Sequence, residues 1–526
     1  MTVQESSSHS VPVAVPRRQV LSFALVWTAV TLLIGAGTFV AIYTATGVIA
    51  SSANAAANAP RSGLPAPAVI GFDATQSVND TPTLGAIASN TPLGTSQPVA
   101  VALQVTATPV SGATAVPPTA APTSAGASAQ SATQAATQSA AATPTILPVK
   151  DTAFNLGIQV QPNADAPSNP KTYDLWMQMV APQLKLAWVK NQILWSDLEP
   201  TKGKIDFSTL DVILPLSAKY NVKVLLSIVR APKWAREPGA DMTKNGPPAN
   251  PQDYVDFVTA IVKRYPGEIH AIEVWNEQNL DREWASTKGL QATQYVALLS
   301  ATYKAVKAID PNMVIVSGAL SPTGVNSPPA AIDDFVYMDS LIKAGLLNTV
   351  DCVGAHHNGI NLPPTVTAQN APLDPKGQRS KYRGPYDNPN HSWSFRSTLE
   401  GYHSRIAAAG SSLKLCITEF GWPSMEGITL PNSKTQAPPP KGFEFAADNT
   451  LADQAQYTKD AIDEMTNWGW VQLAFVWNLN YGAQSNWDPT NDNVPYSILG
   501  PGFQQRPVWQ TIVNYDFRDK TRTAAP

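Results

Sequence analysis

Two glutamates end short apolar runs in this chain, and carboxyl groups so placed can share acid–base and nucleophilic work. Glu277 ends the stretch Glu273-Val-Trp-Asn276-Glu277-Gln, and Glu419 lies in Leu415-Cys-Ile-Thr418-Glu419-Phe-Gly-Trp. Cleaving a glycosidic bond with retention requires two carboxyl groups about 5–5.5 Å apart, one to protonate the leaving oxygen and one to attack the anomeric carbon. Either glutamate alone reads equally well as a surface carboxylate at the end of a strand. The pair is informative only if the fold brings two distant segments together.

The elements that would do so are legible after Lys150, where apolar runs begin to alternate with amphipathic stretches. Strand-like runs cover 155–160, 185–192, 223–229, 269–277, 313–320, 350–357, 414–419 and 471–479. Helical patterns lie between them at 208–220, 253–265, 293–309, 333–344, 397–409 and 452–467. Such alternation implies βα units and a parallel sheet, and eight units in one domain spanning 150–520 predict an α/β fold, a (β/α)8 TIM barrel. Residues at the C-terminal ends of different strands then converge on one face. Long connections at 358–395 and 422–451 follow the sixth and seventh strands, so they stand on that face and are expected to wall a cleft.

With these motifs in order, the chain resembles the clan A retaining glycoside hydrolases, chiefly their family 39 and family 5 members. The resemblance rests on Trp275-Asn276-Glu277 after strand four and Thr418-Glu419-Phe420-Gly421-Trp422 after strand seven. It also includes Trp195-Ser-Asp-Leu-Glu199-Pro200-Thr-Lys-Gly203-Lys-Ile-Asp206-Phe207 after strand two and Ala231-Pro232-Lys-Trp234-Ala235 after strand three, and it covers roughly 150–515. It implies that Glu277 is the acid/base, that Glu419 is the nucleophile and that Asn276 bonds the sugar 2-hydroxyl. Trp477 matches the aromatic floor under the sugar, His356 a histidine lining the site, and Trp234 either a sugar contact or a core residue. The chain departs from the pattern twice: Asn358 stands where many relatives have tyrosine, and Lys190 where arginine is usual. Both changes bear on how the nucleophile is held, and Tyr481, Tyr382 or Tyr386 are candidates to replace the missing tyrosine.

The other acidic residues read as structural. Glu199 and Asp206 brace the loop after strand two, and Glu273 is a buried partner deeper in the barrel. His356-His357 lacks the His/Asp spacing of a metal site, so neither metal nor cofactor is expected. Strand alternation turns Cys352, an even number of residues before His356, inward. It turns Cys416, an odd number before Glu419, outward, so both thiols are expected to be free.

Charged residues are only 14% of the 526, and the net charge is −3. No basic stripe suggests nucleic acid. Val20–Ala50 contains no charge, and 20–43 is apolar enough and long enough for the roughly 20 residues that span a bilayer. Arg17 and Arg18 precede it, which puts 1–19 in the cytoplasm, makes 20–43 a signal anchor and sends the rest outward. A cleaved signal peptide and a secreted product are the alternative, with Ala53–Ala59 a possible cleavage site. Residues 51–149 are rich in Ala, Thr, Ser and Pro and carry no charge between Asp80 and Lys150, a composition expected to remain disordered as a linker. Together these readings describe a membrane-tethered, extracellular hydrolase of β-linked oligo- or polysaccharides. The alternative is an idle barrel that binds carbohydrate at the cell envelope.

Overall fold

The computed structural model describes residues 154–162 and 169–515. The predicted N-terminus 1–19, the anchor 20–43 and the linker 51–149 lie outside the described residues. Within the described residues no helix is long and apolar enough to cross a membrane.

Eight parallel strands form the centre: β1 (Asn155–Gln159), β2 (Trp188–Leu194), β3 (Lys223–Val229), β4 (Ala271–Val274), β5 (Val314–Ser317), β6 (Val353–Asn358), β7 (Leu415–Gly421) and β8 (Val471–Val476). Their order is β5-β4-β3-β2-β1-β8-β7-β6. The two end strands meet through single bridges, Val316 to Cys352 and Leu320 to Ala355, which bring the sheet round to a nearly closed barrel. Gly354 permits that seam: a Cβ there would lie 2.0 Å from the Ser317 carbonyl oxygen. The principal helices are α1 (Pro170–Gln178), α2 (Leu210–Lys219), α3 (Pro251–Arg264), α4 (Ala292–Ile309), α5 (Asp334–Lys343), α6 (Phe395–Ala408), α7 (Leu451–Trp468) and α8 (Pro507–Asn514).

Local chemistry sets the helix boundaries. The side chains of Asn169, Asn250, Asp333 and Ser394 accept hydrogen bonds from backbone N–H groups in the first turns of α1, α3, α5 and α6. Thr450 and Asp453 form a reciprocal capping box on α7, which ends at Gly469 with φ 69°.

Alternation along each strand sorts the interior. On β2, Val189 and Ile193 face the helices and Asn191 bonds the Tyr173 hydroxyl of α1 at 3.0 Å. Trp188 joins the plug at the barrel floor, which also holds Leu225, Ala271, Val316, Leu473 and Phe475, while Lys190 faces Glu273 and Glu419 higher in the barrel. Above, residues of the loops after β6, β7 and β8 pack as a separate apolar group that includes Ile360, Tyr386, Trp393, Phe445, Tyr496 and Trp477. The long connections read as cleft walls thus have a core of their own.

The cysteines correct one expectation. Cys352 and Cys416 form a disulfide, with Cα atoms 5.8 Å apart, and neither is free. Cys352 points inward as expected, but so does Cys416. The reason is a register irregularity in β7: Ile417 pairs with Ala355, whereas Glu419, not Thr418, pairs with His356. Thr418 and Glu419 both reach interior partners. This one-residue bulge reverses the parity below it, and counting back from Glu419 therefore assigned Cys416 to the wrong face.

Candidate active site

β4 ends at Val274, and the chain then turns sharply, with φ 76° at Trp275 and φ 44° at Glu277. Left-handed backbone at bulky residues is costly and persists only where the surroundings impose it. Here the Trp275 ring is anchored by Nε1 donating to the Glu283 carbonyl at 2.9 Å, and the Glu277 N–H donates to the Ala319 carbonyl at 2.8 Å. The turn presents Asn276 and Glu277 at the barrel mouth, and both are buried.

Glu419 arrives from β7 and is held through both oxygens. Lys190 Nζ donates to Oε1 at 3.1 Å, and Asn358 Nδ2 donates to Oε2 at 3.1 Å. The two positions where the chain departs from its resembled family are thus the two that grip this carboxylate. Of the tyrosines considered as replacements, Tyr481 accepts from Gln159 Nε2 and donates to Gln161 Oε1, both at 2.8 Å. Tyr386 donates to the Asn361 carbonyl at 2.5 Å, and the Tyr382 ring packs edge-on to Trp393 and Phe445. They brace loops while Asn358 holds Glu419.

His356 joins the two glutamates. Its Nδ1 lies 3.3 Å from Glu277 Oε1 and 3.7 Å from Glu419 Oε2. Those two legs, 3.3 and 3.7 Å, can place the two oxygens at most 7.0 Å apart. Glu277 Oε2 in turn accepts from Arg282 Nη2 at 2.8 Å. The Arg282 side chain is 34% exposed, against 0% for Lys190, so the two glutamates have cationic partners of different kinds. Arg282 was not anticipated; it stands on an irregular loop with no periodicity to mark it.

Beneath the pair, Lys190 Nζ also lies 3.1 Å from Glu273 Oε2, and the Thr418 hydroxyl donates to Glu273 Oε1 at 2.6 Å. Burial alone would push the Lys190 ammonium down, but the charges of Glu273 and Glu419 outweigh it and hold it above its ordinary value. For Glu273 burial pulls upward, and Lys190 foremost, with His356 and Thr418, brings it below the usual carboxylate range. Both remain ionised at neutral pH.

Trp477 is wholly buried at the end of β8, 4.7 Å from the Tyr481 ring. Trp234 is half-buried, with Nε1 donating to the Glu199 carbonyl at 2.8 Å, its ring edge-on to Trp195 and Lys202 over its face. Glu199 accepts from Trp195 Nε1 and the Gly203 N–H, both at 2.7 Å, and Asp206 accepts from the Ser208 N–H at 2.8 Å. This group braces the loops after β2 and β3 and is separate from the carboxylate cluster. A group that could in principle hold a cation is Asp333, Asp334 and His391. Asp334 is already satisfied by Tyr402, His391 and the Thr323 N–H, and Asp333 caps α5.

Three polar atoms around the carboxylates have no hydrogen-bond partner among the described residues: Asn276 Oδ1, His356 Nε2 and Asn358 Oδ1. Buried polar atoms are nearly always satisfied, so such a cluster is what a hydroxyl-rich ligand would complete.

No family model matches the chain, and no curated protein matches it. Solved structures do. One is a family 39 glycoside hydrolase from the gut symbiont Bacteroides cellulosilyticus WH2, 17% identical, covering 68% of this chain and 62% of that one, with a TM-score of 0.42. Another is the GH39 enzyme from Xanthomonas axonopodis pv. citri, 16% identical over 68% of this chain and 65% of that one, with a TM-score of 0.45. A third is a monomeric beta-xylosidase from Caulobacter crescentus CB15, 17% identical over 68% of this chain and 67% of that one, also at 0.45. The chain spans less than two thirds of the length of the first two.

Proposed function

We propose that this protein hydrolyses O-glycosidic bonds in β-linked oligo- or polysaccharides by a retaining double displacement, with Glu277 as acid/base and Glu419 as nucleophile. The observation that carries the reading is the single nitrogen of His356 within 3.3 and 3.7 Å of the two carboxylates. The convergence of one oxygen from each carboxylate on a single ring nitrogen supports the close carboxyl approach, about 5–5.5 Å, that retention requires. The unpartnered atoms of Asn276, His356 and Asn358 support a polyhydroxylated substrate. Asn276 would bond the sugar 2-hydroxyl, and Trp477 would supply the apolar floor.

In the first step a Glu419 oxygen bonds to the anomeric carbon while the bond to the leaving oxygen breaks. That oxygen takes the electron pair and the proton of Glu277. In the second step water attacks the anomeric carbon, Glu277 takes its proton, and the ester electron pair returns to Glu419. Lys190 and Asn358 keep Glu419 oriented throughout, and this fixed orientation supplies the proximity on which the attack depends.

The same proposal places the protein outside the cell, anchored through 20–43. The uncharged run after Arg17 and Arg18 supports this, and so does the Cys352–Cys416 disulfide, since such bonds persist mainly in oxidising compartments. Full-length protein should resist high-salt extraction from membranes; a mature N-terminus near residue 60 would contradict the anchor.

The roles of the glutamates are tested on a dinitrophenyl β-glycoside chosen from an aryl glycoside screen. Glu277→Ala should still form the glycosyl-enzyme, and azide should accelerate its turnover to the β-glycosyl azide. Glu419→Ala should lose activity by several orders of magnitude, and any azide product should be the α anomer. The same anomer from both variants, or near-normal activity in either, would refute the assignment. Binding of oligosaccharide without turnover by the wild type would point to the idle barrel instead.

A further inference from the structure

The double displacement uses Glu277 and Glu419 but gives no role to the third carboxylate buried beneath them. Glu273 has no exposed surface, and its Oε2 stands 3.1 Å from Lys190 Nζ. Lys190, equally buried, stands 3.1 Å from Glu419 Oε1. One ammonium is therefore divided between two carboxylates from β4 and β7. The other groups facing Glu273 are the Thr418 hydroxyl at 2.6 Å, the Ala319 N–H at 3.4 Å, the Ser227 hydroxyl and, through its charge, His356. Those facing Glu419 are the Asn358 amide, His356 and, close by, the Tyr481 hydroxyl, which burial pushes well above its ordinary value and keeps neutral. Lys190 is thus the ammonium that both carboxylates contact directly, at 3.1 Å each.

The two carboxylates make different demands on it. Glu273 forms no bond with the sugar and stays an anion through the cycle. Glu419 is an anion in the free enzyme and a neutral ester in the intermediate. A buried ammonium left facing only an ester is costly, because an ion taken out of water needs a counter-charge. We infer that Glu273 is a positioning residue that retains the charge of Lys190 while Glu419 is esterified, and thereby sets how far the glycosyl-enzyme accumulates. This rests on the double-displacement reading and extends it to a residue outside the reacting pair.

The inference separates from a merely structural ion pair by kinetic partition. Glu273→Gln leaves Lys190 with Glu419 alone. Their bond tightens in the free enzyme, where attack must weaken it, and has no substitute in the ester. Glycosylation slows by roughly one to two orders of magnitude, the scale of a charge-assisted bond, while deglycosylation, which restores the Glu419 anion, does not. With a dinitrophenyl β-glycoside the wild type should release a stoichiometric burst of dinitrophenolate, since intermediate accumulates. Glu273→Gln should lose the burst, and its KM should rise as kcat falls. Glu273→Asp keeps the charge and should keep the burst. The Asp variant retains the buried ion pair with Lys190, so it carries the test even where Glu273→Gln fails to fold.

A folded Glu273→Gln enzyme with the wild-type burst would overturn the inference and leave double displacement intact. So would a folded Glu273→Asp enzyme without a burst. Failure of the wild type to form any covalent adduct would overturn both.

Discussion

Replacing Cys352 and Cys416 together by alanine should lower stability by an amount set by the chain they enclose. The disulfide joins residues separated by 64 positions. The loop-closure relation gives a loss of unfolded-state entropy of about 14 cal/mol/K, or about 4 kcal/mol at 25 °C. At about 2.1 cal/mol/K per residue, a barrel of about 360 described residues unfolds with an entropy near 0.75 kcal/mol/K, so Tm should fall by about 6 °C. Both sulfurs lie in the floor plug, Cys352 just before β6 and Cys416 in β7 ahead of Glu419, so activity below the transition should survive. The assay is calorimetry at one scan rate, paired with thiol titration in denaturant. The wild type should show no titratable thiol until reductant is added and two afterwards. Two thiols before reduction, or an unchanged Tm in the alanine pair, would refute both the inward placement of Cys416 and the bulge that explains it.

Two further outcomes follow from individual side chains. Asn358→Ala removes one of the two donors on Glu419, a bond to a charged group worth about 1.5–3 kcal/mol, so kcat/KM should drop roughly ten- to a hundredfold with KM little changed; unaltered kinetics would contradict its part in holding the nucleophile. Burial pushes the His357 imidazole down to about 4, whereas in the unfolded chain it takes up a proton near pH 6.5. The folded state therefore binds fewer protons between those values, and stability should decline by about 3 kcal/mol as pH falls through that window. His357→Gln should flatten the decline, measured as Tm at pH 7 and pH 4.5; parallel curves for the two proteins would show that His357 does not cause it.

Much of this architecture was readable from periodicity, because each strand has an apolar run and each of six helices an amphipathic one. Two of the principal helices fall outside those patterns for physical reasons. α1 and α8 are short and begin at proline; α1 has a low mean hydropathy, and α8, though amphipathic, is only eight residues long, too short for its period to stand out. Strand four was drawn to Glu277, but the ladder stops at Val274 because the chain turns left-handed to present Asn276 and Glu277. The glutamates themselves were conspicuous as strand-end carboxylates. Their supports were less so. Lys190 and Asn358 stood out only as departures from a resembled pattern, and the geometry makes them the donors to Glu419. The parity error at Cys416 has a general cause: alternation is reliable only while the ladder is regular, and the β7 bulge leaves no composition signal of its own.

The central claim is that Glu419 becomes covalently bound to the sugar. Its most direct test is a 2-deoxy-2-fluoro glycoside with a dinitrophenolate leaving group, which slows release of the adduct more than its formation. Intact mass followed by peptide mapping should find one label per chain, carried on Glu419 within the peptide that includes Thr418 and Phe420, and Glu419→Ala should take none. A label on Glu277, on any other residue, or on none while the wild type still turns over its substrate would contradict the account.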